Sequence, residues 1–289
     1  MQVDAGTGDV LDVYPTGRAP FLLVTASGHV WVQNFADGTL THVDPSADTA
    51  TTVRGGAVAG LASDGRDLWV ARDGNVVAEL GGTTGEEQRA FRLARRPLFE
   101  VPTPTGHAGF LGVGGGSVWL TVPGRAGGSE MLWRIDPRSG DVLTELPIGS
   151  DANPPYIHGG HLWIITKADQ VLTRVDMRSI DVTQVPVDPF PWSVTAADGS
   201  LWIGQQVDPK VVRLDLNTMR TIAEVPLETN PRGLAFGNGL LWVATEDGLQ
   251  VIDPATNAVI RTTEFGTFPP DTGPIGVAFL DDSVWVSIE

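Results

Sequence analysis

The sequence predicts an all-β fold, a seven-bladed β-propeller of four-stranded antiparallel blades. Three observations predict it. Seven of the nine Trp residues share one context, aliphatic–Trp–aliphatic: Trp31, Trp69, Trp119, Trp163, Trp202, Trp242 and Trp285. Their spacings are 38, 50, 44, 39, 40 and 43 residues, and a repeat of about 40–45 residues is the period of a propeller blade. Between them, period-2 alternation rich in Val, Ile, Thr and Trp is broken by Gly, Asp and Pro turns, and no window has a convincing helical period. Finally, the chain starts and stops in mid-repeat.

Each repeat reads as four strands. The first is an apolar run such as Arg232-Gly-Leu-Ala-Phe236. The second holds the Trp, after a Gly- or Asp-containing turn such as Asp198-Gly-Ser200 or Gly237-Asn-Gly-Leu240. The third carries an aliphatic–Asp pair, as in His42-Val-Asp-Pro45, Arg134-Ile-Asp-Pro137, Arg174-Val-Asp-Met177, Arg213-Leu-Asp-Leu216 and Val251-Ile-Asp-Pro254. The recurrent Asp44, Asp136, Asp176, Asp215 and Asp253 each precede a tight turn that a carboxylate can cap. The fourth alternates, as in Val142-Leu-Thr-Glu-Leu-Pro147.

The ends complete the count. Ser283-Val-Trp-Val-Ser-Ile-Glu289 is the second strand of a seventh repeat. Residues 2–11 align with 134–143, third- and fourth-strand sequence. The last blade is therefore expected to take two strands from each terminus, which closes the ring and removes exposed edges. Seven blades use the whole length, so residues 1–289 are read as one propeller domain, monomeric when isolated.

Composition removes several function classes. Nineteen Lys and Arg against 35 Asp and Glu give a net charge of −16. That charge repels nucleic-acid phosphate and disfavours an anionic membrane. No apolar stretch reaches the ~18 residues of a membrane span, so membrane insertion is not expected. Zero Cys excludes disulfides, thiolate metal sites and Cys nucleophiles. The start, Met1-Gln2-Val3-Asp4, has no basic or apolar leader. It fits a cytoplasmic protein or a domain excised from a longer one, so the compartment stays open.

In a four-stranded meander, the loops after the second and fourth strands emerge on one face. The length variation falls there: the 94–107 loop, the 122–131 loop in the next blade, and Phe265–Gly273. Variable loops on a rigid scaffold are where binding usually resides. Residues around this mouth are expected to form the ligand site: Phe21, Arg72, Tyr156, Lys167, Trp192, Gln205 and Arg232. Such a mix of aromatics, an amide and cations suits a small polar or mixed ligand, or a partner protein or peptide. It also fits a solvated propeller mouth.

Candidates for catalysis are few. Of His29, His42, His107, His158 and His161, only His107 sits well for that face, with Glu100 in the same loop and Glu246 as possible partners in acid–base work. The Asp-rich turns do not complete an EF-hand loop, so no metal site or cofactor is expected. There is no G-x-S-x-G nucleophile turn. Arg89, Arg92, Arg95 and Arg96 form the one basic cluster, read as a solvated fourth-strand edge.

Two segments, Pro231-Arg-Gly-Leu-Ala-Phe-Gly-Asn-Gly-Leu-Leu-Trp-Val-Ala244 and Val251-Ile-Asp-Pro-Ala-Thr-Asn257, carry a family likeness. The blade pattern resembles the YVTN and virginiamycin B lyase-like propellers of bacteria over nearly the whole chain. The resemblance implies the propeller fold. The lyases look like Trp-Phe-Thr-Glu in the second strand, with a His pair and a Glu serving a divalent metal at the mouth. Here the residue three after each Trp is Asn34, Arg72, Val122, Thr166, Gln205, Thr245 or Ile288, never Glu. Propellers of this type also look like sensor or interaction modules of bacterial regulators. The expected function is therefore a binding, sensor or interaction propeller on the face bearing the 94–107 and 122–131 loops. The alternative is a metal-assisted lyase or lactonase-like hydrolase using Glu100, His107 and Glu246.

Overall fold

A computed structural model describes residues 1–53, 58–72, 75–93, 109–123, 128–269 and 272–289. Among them, 28 strands form seven four-stranded antiparallel sheets, with no helix. Six sheets are simple meanders, over residues 20–53, 58–92, 111–149, 156–186, 191–226 and 231–264; these are blades one to six. The seventh runs Pro274–Leu280, Ser283–Ile288, Gln2–Asp4, Val10–Asp12, two strands from each terminus. Gln2 opposes Trp285 and Val3 opposes Val284, so the ring closes as the sequence pattern predicts.

The seven repeat Trp residues are all buried, and each fills the seam to the next blade. Trp31 packs with Leu61, Leu68 and Val70 of blade two. Trp202 packs with Leu241 and Val243 of blade six, and Trp285 with Val30 and Val32 of blade one. A buried Trp removes some 150–250 Å² of surface from water, so one side chain per seam supplies a large share of the inter-blade contact.

Each of these indoles is also covered from its own blade. Arg134, Arg174 and Arg213 on the third strand lie 5.6, 5.8 and 4.7 Å from the rings of Trp119, Trp163 and Trp202. Where the third strand has Glu79 or Val251 opposite the Trp, the cover comes from the fourth strand: Arg89 over Trp69 and Arg261 over Trp242. His42 stacks on Trp31 at 4.2 Å and 11°, and Tyr14 lies 5.6 Å from Trp285. Arg89, expected as a solvated edge residue, instead pairs with Glu79 and covers an indole.

The third-strand carboxylates cap their turns. Oδ1 of Asp44, Asp136, Asp176, Asp215 and Asp253 accepts the backbone N–H two residues on, at 2.7–3.1 Å. In the closing blade Asp4 Oδ1 accepts the backbone N–H of Thr7, three residues on. These hydrogen bonds favour the ionised form and hold Asp4, Asp136, Asp176 and Asp215 below the usual carboxylate range; for Asp44 the Ser46 hydroxyl contributes most.

The outer edges are irregular. Register slips in the fourth strands leave Leu11, Leu143, Ile222 and Ile260 as extra residues, all exposed. A bulge twists an edge and breaks its row of hydrogen-bonding groups, which discourages strand addition from another molecule.

Candidate functional site

The inner strands of the seven blades line the central axis, and five of them start on a bulge. Pairing with the second strand slips between Pro20 and Leu23, Val58 and Gly60, Pro191 and Ser193, Pro231 and Gly233, and Pro274 and Val277. A bulge re-aims the side chain it carries. Among those carried here are Phe21, Trp192, Arg232 and Ile275, and all four line one cavity of about 720 Å³. This size suits a small ligand. The cavity reaches from the mouth to the Ser63–Gly65 turn at the opposite face.

Glycine makes the arrangement possible at two blades. A Cβ on Gly233 would run into the Ile275 carbonyl, and one on Gly276 would come within 2.6 Å of the Phe21 carbonyl. The backbones of neighbouring inner strands therefore approach closely just behind the mouth. Ser287 Oγ joins them by accepting from Gly276 N–H at 2.9 Å and donating to Phe21 O at 3.0 Å.

One side of the mouth is a cation held on an aromatic ring. Lys167 follows the second strand of blade four, and its backbone N–H donates to Asp151 O at 3.0 Å. Its ammonium lies 4.6 Å from the Trp192 ring centre and 3.3 Å from Asp151 Oδ1. Asp151 in turn is fixed by Glu130, whose two carboxylate oxygens accept from Asp151 N–H and Ala152 N–H, each at 3.2 Å. Burial pushes the Glu130 carboxyl up, against those two hydrogen bonds. Asn153 donates to the Trp192 carbonyl and ties this loop to blade five.

The other side is built on blade six. The Arg232 guanidinium lies 3.9 Å from Glu246 Oε1, and Asn230 Nδ2 donates to the same oxygen at 3.0 Å. Gln206 Nε2 donates to Pro231 O at 3.3 Å and joins blades five and six beneath it. Aromatic walls complete the mouth: Phe21 stacks with Phe110 at 6.3 Å, and Tyr156 lines the cavity while its hydroxyl donates to Ala196 O at 3.2 Å.

The expected residues thus divide. Phe21, Tyr156, Lys167, Trp192 and Arg232 line the cavity together. Gln205 is buried in its strand, and Arg72 pairs with Glu87 on the fourth strand of its own blade; neither lines it. Glu246 lies 3.9 Å from Arg232 and is not part of the lining. Glu100, His107 and the 94–107 loop lie outside the described residues, as does part of the 122–131 loop. Among the described residues, no three His, Asp or Glu side chains gather where they could hold a metal ion. Phe110, Asn153 and Ile275 also line the cavity, although sequence reasoning did not select them. The signal for Ile275 was present: Pro274-Ile-Gly276 repeats Pro231-Arg-Gly233.

No family model and no curated protein matches the chain. Solved structures do resemble it. The β-propeller domain of Cps50 (Swd1) from Myceliophteria thermophila is 12% identical, with a TM-score of 0.67 over 96% of this chain and 98% of that one. AztD from Citrobacter koseri is 13% identical, with a TM-score of 0.67 over 99% and 84%. BamB from Moraxella catarrhalis is 12% identical, with a TM-score of 0.58 over 92% and 81%. At such identities the likeness extends to the propeller fold alone.

Proposed function

We propose that the chain is a non-catalytic binding propeller that takes a small molecule in its central funnel, at the face bearing the long connections. The observation that carries this reading is the convergence of Trp192, Lys167 and Arg232, from three successive blades, on the mouth of a cavity of about 720 Å³. Few polar groups placed over apolar walls are what a small-molecule site needs. The blade motif supports a place among the YVTN and virginiamycin B lyase-like propellers, and the bacterial structural relatives are compatible with it at the level of fold.

Metal-assisted hydrolysis or elimination through Glu100, His107 and Glu246 has less behind it. Glu246 is engaged by Asn230 and Arg232. Native mass spectrometry of the gently purified protein tests the binding reading. A small molecule that stays bound to the wild type and is lost from Trp192→Ala supports it. Turnover of a lactone or ester by the purified protein, abolished by Glu246→Gln, would replace it.

A further inference from the structure

The wall of the channel repeats one residue type at one level. In six blades the inner-strand residue opposite the position after the repeat Trp is aliphatic: Leu23, Leu61, Leu111, Val194, Leu234 and Val277. Blade four completes the level with Pro155, next to Tyr156, which opposes Trp163. All seven line the cavity. Among the described residues of the seven inner strands, Arg232 is the one Asp, Glu, Lys or Arg. The other charged residues in the described lining, Lys167 and Asp64, belong to connections between strands.

Water inside an aliphatic ring finds few hydrogen-bond partners, and apolar cavities stay dry. Protein interiors otherwise leave few voids larger than a water molecule, yet this cavity holds about 720 Å³. A hydrocarbon body would leave water there and supply the missing contacts. A polar body would lose its hydration against aliphatic walls without replacement.

Apolar groups continue from the channel to the rim. Phe35, 44% exposed, lies 6.4 Å from the Phe21 ring, and Phe21 lies 6.3 Å from Phe110 inside the cavity. Beside Trp192 stand Phe190, 60% exposed, and Val207, 54% exposed, brought together by the hydrogen bond from Gln206 N–H to Phe190 O at 3.2 Å. Phe190 also has a φ of 59°, a left-handed conformation that bulky residues rarely adopt. The residues preceding the inner-strand proline of blades one and seven share that hand, but they are Ala19 and Gly273. Blade five thus holds an aromatic ring out at the rim against its backbone preference, which is more often seen at functional positions than elsewhere.

We infer that the funnel takes an uncharged, lipophilic small molecule, its hydrocarbon or aromatic body seated inside the aliphatic ring. The inference rests on the reading of the funnel as the ligand site and adds the chemical class of ligand.

Displacement of the neutral fluorophore N-phenyl-1-naphthylamine by straight-chain alcohols tests it. The wild type is expected to bind the probe once per chain. Hexanol, octanol and decanol should displace it with an affinity that rises about fourfold per added methylene, the effect of burying one CH₂. Val194→Thr together with Val277→Thr puts two hydroxyls into the ring at nearly constant volume and should weaken the probe about tenfold. Val182→Thr, on an exposed fourth strand, should change nothing. Melting temperatures and circular dichroism check that each variant is folded. Absence of probe binding, alcohol affinity independent of chain length, or binding indifferent to the two ring hydroxyls overturns the apolar class. So does probe binding that is undiminished in Ile275→Trp, which fills the funnel. The reading of the funnel as the ligand site fails on a different result, a co-purifying molecule retained by Trp192→Ala, so the two failures are told apart.

Discussion

The ammonium of Lys167 lies 4.6 Å from the ring centre of Trp192, across the seam between blades four and five. The contact joins a side chain after a second strand to one carried on an inner-strand bulge, so it couples two blades at the funnel mouth. A cation over an indole contributes about 0.5–1 kcal/mol when exposed and about 2 or more when desolvated. A double-mutant cycle of Lys167→Met and Trp192→Ala, followed by urea unfolding, should give a coupling of about 1–2 kcal/mol. Additive effects would mean that the two side chains are neighbours without an energetic link.

The seam residues should be far more costly to remove. Trp202→Ala is expected to lower stability by about 3–5 kcal/mol, because it empties a buried site between blades five and six. Arg213→Ala should cost about 1–3 kcal/mol. Arg213 covers Trp202 and donates to Pro254 O at 2.6 Å and Asn257 Oδ1 at 2.8 Å in the next blade. Arg174, with its longer 5.8 Å approach to Trp163, should matter less. Denaturant midpoints of the three variants give the order.

Acid should unfold the propeller through its turns. Asp44, Asp136, Asp176 and Asp215 are held below the usual carboxylate range by hydrogen bonds to the ionised form. A lowered folded pKa adds stability that is fully present above the unfolded value near 3.9 and is lost as pH falls through the folded value. Asp176→Asn should therefore destabilise at pH 7, with the gap to wild type closing below about pH 4. A gap that persists unchanged at pH 2.5 would assign the effect to something other than the carboxylate.

A second pH window belongs to His42. Its Nε2 lies 3.0 Å from His29 Nδ1, and Asp44 Oδ2 is 4.0 Å from the same His29 nitrogen. Burial, helped by His29 and opposed by Asp44, lowers the His42 pKa. A base with a lowered folded pKa contributes stability above the unfolded value of about 6.5 and loses it as pH falls below. Thermal unfolding between pH 7.5 and 5 should show a decline in wild type that His42→Phe flattens. An equal decline in the variant would place the titrating group elsewhere.

The blades were legible because one position repeats: a Trp flanked by aliphatics has to be buried, and seven seams need seven of them. The capping Asp was legible for the same reason. The mouth was legible in part. Counting along the regular pattern picked out Phe21, Tyr156, Lys167, Trp192 and Arg232, which line one cavity together. The same counting could not tell which way the last residue of each second strand faces. Gln205 and Arg72 occupy equivalent positions, yet Gln205 is buried and Arg72 reaches to Glu87. A one-residue slip reverses the face of a strand side chain, and the inner-strand bulges that aim Ile275 into the funnel are such slips. They arise from close approach between neighbouring blades, a relationship between distant parts of the chain that local alternation does not encode.

The central claim is that the funnel is the functional site. Its most direct test is the melting temperature of wild type and Ile275→Trp across a panel of small organic molecules. Ile275 lines the cavity, and an indole there occupies the space a ligand needs. The account predicts that compounds which raise the melting temperature of the wild type fail to raise that of the variant, while the two unliganded proteins melt alike. Compounds that stabilise both proteins equally would contradict it and move the site to another surface.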